Sequence, residues 1–193
     1  MKILLIVIAF ICSSVFADDI NQKNLKTIEN FLSAMTTLES EMSMDISSGA
    51  NISENYIGKI WLDRKNKLLR INYGKSFMIA KNGNLTVCQE NEKPQEISTE
   101  DTPAGLLLRP LINFNSAGIK VKSLSEIEGL WVLNIVYESP VGLVPVTMYF
   151  KPKPVMILMG WTIQNPNGSI TNVHLNPDST HMSIKIPASV FSN

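Results

Sequence analysis

Hydrophobic and polar positions alternate with two different periods along this chain. One stretch follows the helical period. Leu25, Ile28, Phe31, Leu32, Met35 and Leu38 recur at the i, i+3, i+4, i+7 spacing, which predicts an amphipathic helix from a cap at Asn24 or Thr27 to about Leu38. From there the period drops to two. Met42, Met44 and Ile46 share one face of Ser40–Ser47, and Tyr56, Gly58, Ile60 and Leu62 alternate with Ile57, Lys59, Trp61 and Asp63. Further strands are predicted at 68–73, 76–80, 85–89, 119–124, 130–137, 144–150, 155–164, 169–176 and 181–186. Turn residues separate most of them: Lys81-Asn82-Gly83-Asn84, Glu128-Gly129, Ser139-Pro140, Lys151-Pro152-Lys153-Pro154, Asn165-Pro166-Asn167-Gly168 and Asn176-Pro177-Asp178. Asn82-Gly83 favours a type I′ hairpin turn, in which both central residues take positive φ.

The middle of the chain breaks this rhythm. In Thr102-Pro103-Ala104-Gly105-Leu106-Leu107-Leu108-Arg109-Pro110, Thr or Asp caps, proline enters the first turn and Pro110 ends a short helix. Three consecutive leucines on so short a helix require apolar partners on more than one face. One long helix, one short central helix and about ten antiparallel strands predict a mainly β fold with α elements, a curved sheet or barrel in a single domain. The two helical segments are the only candidates to cover its mouth. If the cup is hollow, its candidate apolar lining is Leu25, Ile28, Phe31, Leu32 and Met35 from the helix, with Met42, Met44, Trp61, Met148, Met156 and Trp161 from the strands. Methionine, unbranched and polarizable, suits an adaptable apolar space.

The N-terminus changes where this domain is expected to work. Residues 1–17, MKILLIVIAFICSSVFA, combine a basic start at Lys2, an uncharged apolar run and small or modest residues before Ala17. This is the pattern of a cleaved secretory signal peptide, leaving residues 18–193 as one exported domain. Ile11 before Cys12 does not match a lipoprotein cleavage site. The full chain of 193 residues has 17 basic and 17 acidic side chains. Loss of Lys2 leaves the mature domain near neutrality, with no basic run to attract nucleic acid. Cys88 is the only cysteine beyond residue 17, so no internal disulfide is available, and burial in a strand is its expected fate.

Enzymatic and metal constellations are weak. A two-residue turn at Pro177-Asp178 would set His174 against His181 across a hairpin. Two imidazoles and Asp178 still fall short of a metal site. No nucleophile elbow, phosphate loop or carboxylate cluster stands out, so neither an enzyme nor a cofactor is expected. Asn51-Ile52-Ser53, Asn84-Leu85-Thr86 and Asn167-Gly168-Ser169 form glycosylation triplets, meaningful only in a eukaryotic secretory route.

Several motifs, in order, carry a family resemblance. Gly58-Lys59-Ile60-Trp61-Leu62-Asp63-Arg64, followed by Leu68, Arg70 and Tyr73, resembles the G-x-[LI]-W-[VL]-x-R-P signature of the LolA family, periplasmic carriers of outer-membrane lipoproteins. Thr102-Pro103-Ala104-Gly105-Leu106-Leu107 is similar to that family's T-P-x-x-L-L helix. Trp161 to Val173 is similar to the hairpin of its alphaproteobacterial branch, and Ile186 to Phe191 to its C-terminal end. Lys65 and Asn165 depart from the pattern, standing where the family has Pro and Asp. The resemblance implies an incomplete, half-open antiparallel β-barrel covered by a helical lid, with an interior that takes acyl chains. It implies acylated lipoproteins as cargo, an inner-membrane ABC-type lipoprotein-releasing transporter as donor and an outer-membrane acceptor. It also implies that Arg64 latches the lid segment, with Thr102, Pro103, Leu106, Leu107 and Leu108 as the lid helix. A monomer is expected. The competing expectations are a secreted or periplasmic binder of lipids or small hydrophobes, and a structural β-protein without cargo, plugged by its own side chains.

Overall fold

A computed structural model describes residues 21–48, 53–140 and 142–192. The expected signal peptide, Cys12 and the first part of the Asn51 triplet lie outside them. Helix α1 spans 21–34 and is followed by β1 (Thr37–Ser47), β2 (Ser53–Asp63), β3 (Leu68–Tyr73), β4 (Ser76–Lys81), β5 (Asn84–Cys88) and β6 (Gln95–Ser98). A 3₁₀ turn at Thr99–Asp101 and the four-residue helix α2 (Ala104–Leu107) come next. The second half comprises β7 (Ile119–Ile127), β8 (Leu130–Ser139), β9 (Gly142–Lys151), β10 (Ile157–Gln164), β11 (Ile170–Leu175) and β12 (His181–Met182), with a last 3₁₀ turn at Ala188–Phe191.

All twelve strands belong to one antiparallel sheet in the order β6-β5-β4-β3-β2-β1-β11-β10-β9-β8-β7, with β12 beside β1. The outermost strands, β6 and β7, do not pair with each other. The fold is therefore a half-open barrel, and the chain joining its two free edges is the segment 99–118 that contains α2. The Asn82–Gly83 hairpin has φ of +54° and +83°, as a type I′ turn requires. Between β9 and β10 the register shifts between Leu158 and Gly160. Gly160 has φ +148°, and a Cβ there would lie 2.0 Å from the Val173 carbonyl oxygen in β11, so only glycine allows β10 and β11 to approach so closely.

Three elements differ from expectation. The helix ends at residue 34 and not near Leu38, and Asn24 and Thr27 lie inside it. Thr27 Oγ1 bonds back to the Lys23 carbonyl (2.9 Å) and caps nothing. Leu38 is instead buried in β1 on the same face as Ser40 and Met42, because the Thr36–Thr37 pair enters strand pairing at Thr37↔Asp63. Strand β6 has one apolar residue, Ile97, and so leaves little alternation to read; its pairing with β5 forms it. The final strand shrinks from 181–186 to His181–Met182. Pro177–Ser179 forms a 3₁₀ turn, with Asn176 Oδ1 accepting the Asp178 N–H, and the chain continues along β1. His174 thus pairs with Ser43 and His181 with Glu39, four positions apart on one strand or about 13 Å. They do not face each other across a hairpin.

The two faces of the sheet separate cleanly in its second half. On the outer face a row of polar side chains crosses the strands: Ser123, Asn134, Thr147, Thr162, Asn172, Asp45 and Asn55 occupy matched register positions. Neighbours along it bond directly, as from Thr147 Oγ1 to Asn134 Oδ1 (2.7 Å) and from Thr162 Oγ1 to Asn172 Oδ1 (2.8 Å). The inner face carries the core. Ile28 and Leu32 of α1, with Met35 just beyond it, join Leu38, Met42, Ile60, Leu62, Leu133 and Phe150 in one buried cluster. Phe31 meets Phe150 edge to face, with ring centroids 6.2 Å apart.

Candidate functional site

Part of the inner face is left unfilled. A cavity of about 360 Å³ lies between the sheet and the segment 101–107, within the range of ligand pockets. Its walls come from both halves of the sheet: Leu69, Ile71, Met78 and Val87 on one side, Val144, Val146, Met148 and Ile163 on the other, with Met44, Val173 and Trp161 between. Strand alternation positions them, since each is the inward member of its pair. Ile97, on the free edge β6, also lines the cavity and is 43% exposed, so the cavity reaches the surface there. On the lid, Thr102, Pro103, Leu106 and Leu107 face it.

Among the residues expected to line an apolar space, Met44, Met148 and Trp161 do so. Leu25, Ile28, Phe31, Leu32 and Met35 do not. Helix α1 fills its portion of the cup as solid core, with Ile28 and Leu32 fully buried and Leu25 and Phe31 packed at the margin. Met42 lies two positions from Met44 on the same face of β1, but is buried in core away from the cavity. Trp61 points to the outer face because Ile60 and Leu62 take the inner one, and Lys59 Nζ lies 5.2 Å from its ring centroid. Met156 sits ahead of β10, half-buried against the core. Leu108 is buried facing the other side of the lid, where a larger depression of about 870 Å³ includes Lys67, Glu100, Arg109 and Glu138. Those charges make it unsuited to a hydrocarbon chain. Sequence reasoning did not single out Ile71, Val87, Val144 or Val146. Their alternation marks them as inward, but nothing in it distinguishes a void from a filled core.

Arg64 joins the lid to the rest of the molecule. It follows β2, and its backbone N–H bonds the Thr36 carbonyl (2.9 Å). Its side chain is 2% exposed. Nε donates to the Leu107 carbonyl at the end of α2 (2.8 Å), and Nη1 donates to the Leu32 carbonyl in the last turn of α1. The last carbonyls of a helix have no partner within it, and the rigid fork of a guanidinium serves two such ends at once. Nη2 is buried without a partner, and among the described residues no carboxylate pairs with Arg64. Burial lowers its pKa to about 10, which leaves it charged at neutral pH. Two further bonds fasten the segment after α2 onto α1. Buried Glu29 accepts the Phe114 N–H (2.8 Å), and Ser33 Oγ accepts that of Ile112 (3.4 Å).

The metal reading finds no geometry. Among the described residues no group of three His, Cys, Asp or Glu side chains is placed to hold an ion. Cys88 is half-buried at the end of β5 and unpaired.

No protein-family model matches the chain, and no curated protein matches it in sequence. Solved structures do match in shape. A LolA superfamily protein from Nitrosomonas europaea aligns with a TM-score of 0.50 at 8% identity, over 87% of this chain and 97% of that one. A putative outer membrane lipoprotein-sorting protein domain from Vibrio parahaemolyticus aligns with a TM-score of 0.48 at 9% identity, over 81% and 89%. At such identities the likeness concerns the fold alone: the chain has a LolA-like fold.

Proposed function

We propose that this protein is an exported carrier that shelters the acyl chains of lipids or lipoproteins in its apolar cavity, without catalysing a reaction. The observation that carries the proposal is the cavity itself: an apolar void beneath a short lid whose terminal carbonyl is held by one buried arginine. A packed structural barrel has no use for such a void, which forgoes dispersion contacts along its whole lining. Acyl chains have a strong reason to occupy it, at about 0.8 kcal/mol for each methylene removed from water. In this reading Arg64 holds α2 shut when the site is empty, and an entering chain displaces the lid. The loaded form, with its latch broken, then releases its cargo readily to an acceptor membrane. The sequence motifs support the finer reading of a periplasmic lipoprotein carrier of the alphaproteobacterial LolA type, receiving cargo from an inner-membrane ABC-type transporter and passing it to the outer membrane.

The test is direct. Mature protein isolated gently from its own compartment and analysed by native mass spectrometry is expected to carry an acylated polypeptide or lipid. Added diacylated peptide is expected to shift the emission of Trp161. A chain that emerges empty and leaves Trp161 unmoved is a structural protein.

A further inference from the structure

The cavity lining has one ionisable group. Asp101, last residue of the 3₁₀ turn, contributes to the wall beside Thr102, Asn165 and Thr171, and no lysine, arginine or histidine among the described residues lines it. The neutral polar groups are already engaged. Asn165 Nδ2 donates to Ser169 Oγ and Thr171 Oγ1 (3.0 Å each), and Thr102 Oγ1 donates to the Thr99 carbonyl (3.1 Å). Among the described residues the Asp101 carboxylate forms no ion pair. Arg64, the cation bonded to the lid, lies off the lining with its donors directed at Leu107 and Leu32.

We propose that the cavity selects acyl chains by the charge of their polar end. It accepts chains ending in a neutral ester or amide and rejects anionic amphiphiles such as free fatty acids, with Asp101 as the determinant. The inference rests on the acyl-carrier reading and names its substrate class. A second anion brought into an apolar cavity loses hydration without gaining a counter-cation, and it meets the like charge of the part-exposed Asp101 on the wall. A glyceryl ester or an N-acyl amide has no such penalty. The same carboxylate tolerates an amine.

Three single-chain probes of equal length separate the possibilities: monopalmitoylglycerol, palmitate and hexadecylamine. Each is titrated at neutral pH below its aggregation concentration. Binding is read from Trp161 emission in a chain carrying Trp61→Phe and Trp131→Phe, and by equilibrium dialysis of the unmodified protein. The neutral and cationic probes are expected to bind about tenfold or more tighter than palmitate. Asp101→Asn, nearly identical in shape, is expected to close most of that gap by tightening palmitate. Equal binding of all three by the unmodified protein removes the charge selection and leaves the carrier reading standing, a comparison that needs no folded variant. A preference for palmitate, which would mean that the opened lid turns Arg64 toward the cargo, overturns it, as does a gap that survives Asp101→Asn. If none of the three binds, the carrier reading falls and this inference with it.

Discussion

At the scale of single residues, Arg64 is the side chain whose environment is least like that of an ordinary strand-end arginine. A charged group is buried with carbonyl oxygens as its partners and one amino group unsatisfied. Its replacement by leucine removes both bonds and the buried charge together, so the lid loses its anchor while the sheet keeps its packing. We expect amide exchange across residues 102–108 of Arg64→Leu to quicken by about ten- to a hundredfold, since a bond to a charged donor contributes roughly 1.5–3 kcal/mol, with exchange in β8 and β9 unchanged. Lysine is not expected to restore the protection, because a single ammonium cannot span the two carbonyls as the fork does. The pH sense follows from the lowered pKa. Below about 10 the folded and unfolded chains are both protonated at Arg64, so the burial penalty is constant and the latch is indifferent to pH across the neutral range. Above that value the folded form gives up its proton first and the penalty declines, so the stability tied to this group rises with pH until the unfolded chain is deprotonated as well.

Gly105 supports the lid in another way. A Cβ there would lie 2.6 Å from the Thr99 carbonyl oxygen and 3.3 Å from the Tyr137 hydroxyl. That carbonyl also accepts both the N–H and the hydroxyl of Thr102. Gly105→Ala therefore pushes α2 off the turn that seats it. We expect a loss of about 1–3 kcal/mol, measured by chemical denaturation, and a lid that exchanges faster with Arg64 intact.

At the scale of elements, how much could be read depended on how local the signal was. Strand β3 was placed at 68–73 as observed, and β1, β8 and β9 to within a few residues, because period-two alternation is decided by each strand's own residues. Helix α1 was placed but run too far, since Met35 and Leu38 continue its stripe even after the backbone has turned to pair with β2. Strand β6 was missed because its sequence QEIS owes its conformation to a neighbour. The cavity was the least readable part. Met42 and Met44 are indistinguishable in pattern, yet one lies in solid core and the other faces the void. What separates them is where α1 comes to rest, a property of the assembled cup and not of either residue. Arg64 and the segment 102–108, by contrast, were singled out through motifs, and the structure places them in contact through the Arg64 Nε bond to the Leu107 carbonyl.

At the scale of the whole molecule, an incomplete barrel has two unpaired strand margins, and the segment 99–118 ties them to the same short lid. In the carrier reading α2 lifts to admit cargo, and among the described residues no other strand pairs with the free edges of β6 and β7. Exposed margins of this kind invite a second sheet to add on. Strand β7 is defended: Lys120 and Lys122 are both exposed along it, and its pairing with β8 is irregular between Val121 and Ser123. Strand β6 is only four residues long and carries exposed Glu96. On the proposed carrier function, a chain that opens in order to load would otherwise risk polymerising each time it opened. Lys120→Thr with Lys122→Thr is accordingly expected to leave the closed form monomeric, yet to yield dimers or fibrils by light scattering once Arg64→Leu is added. If that double effect is seen, the charges on the rim act as insurance against self-association in the open form that the carrier reading requires.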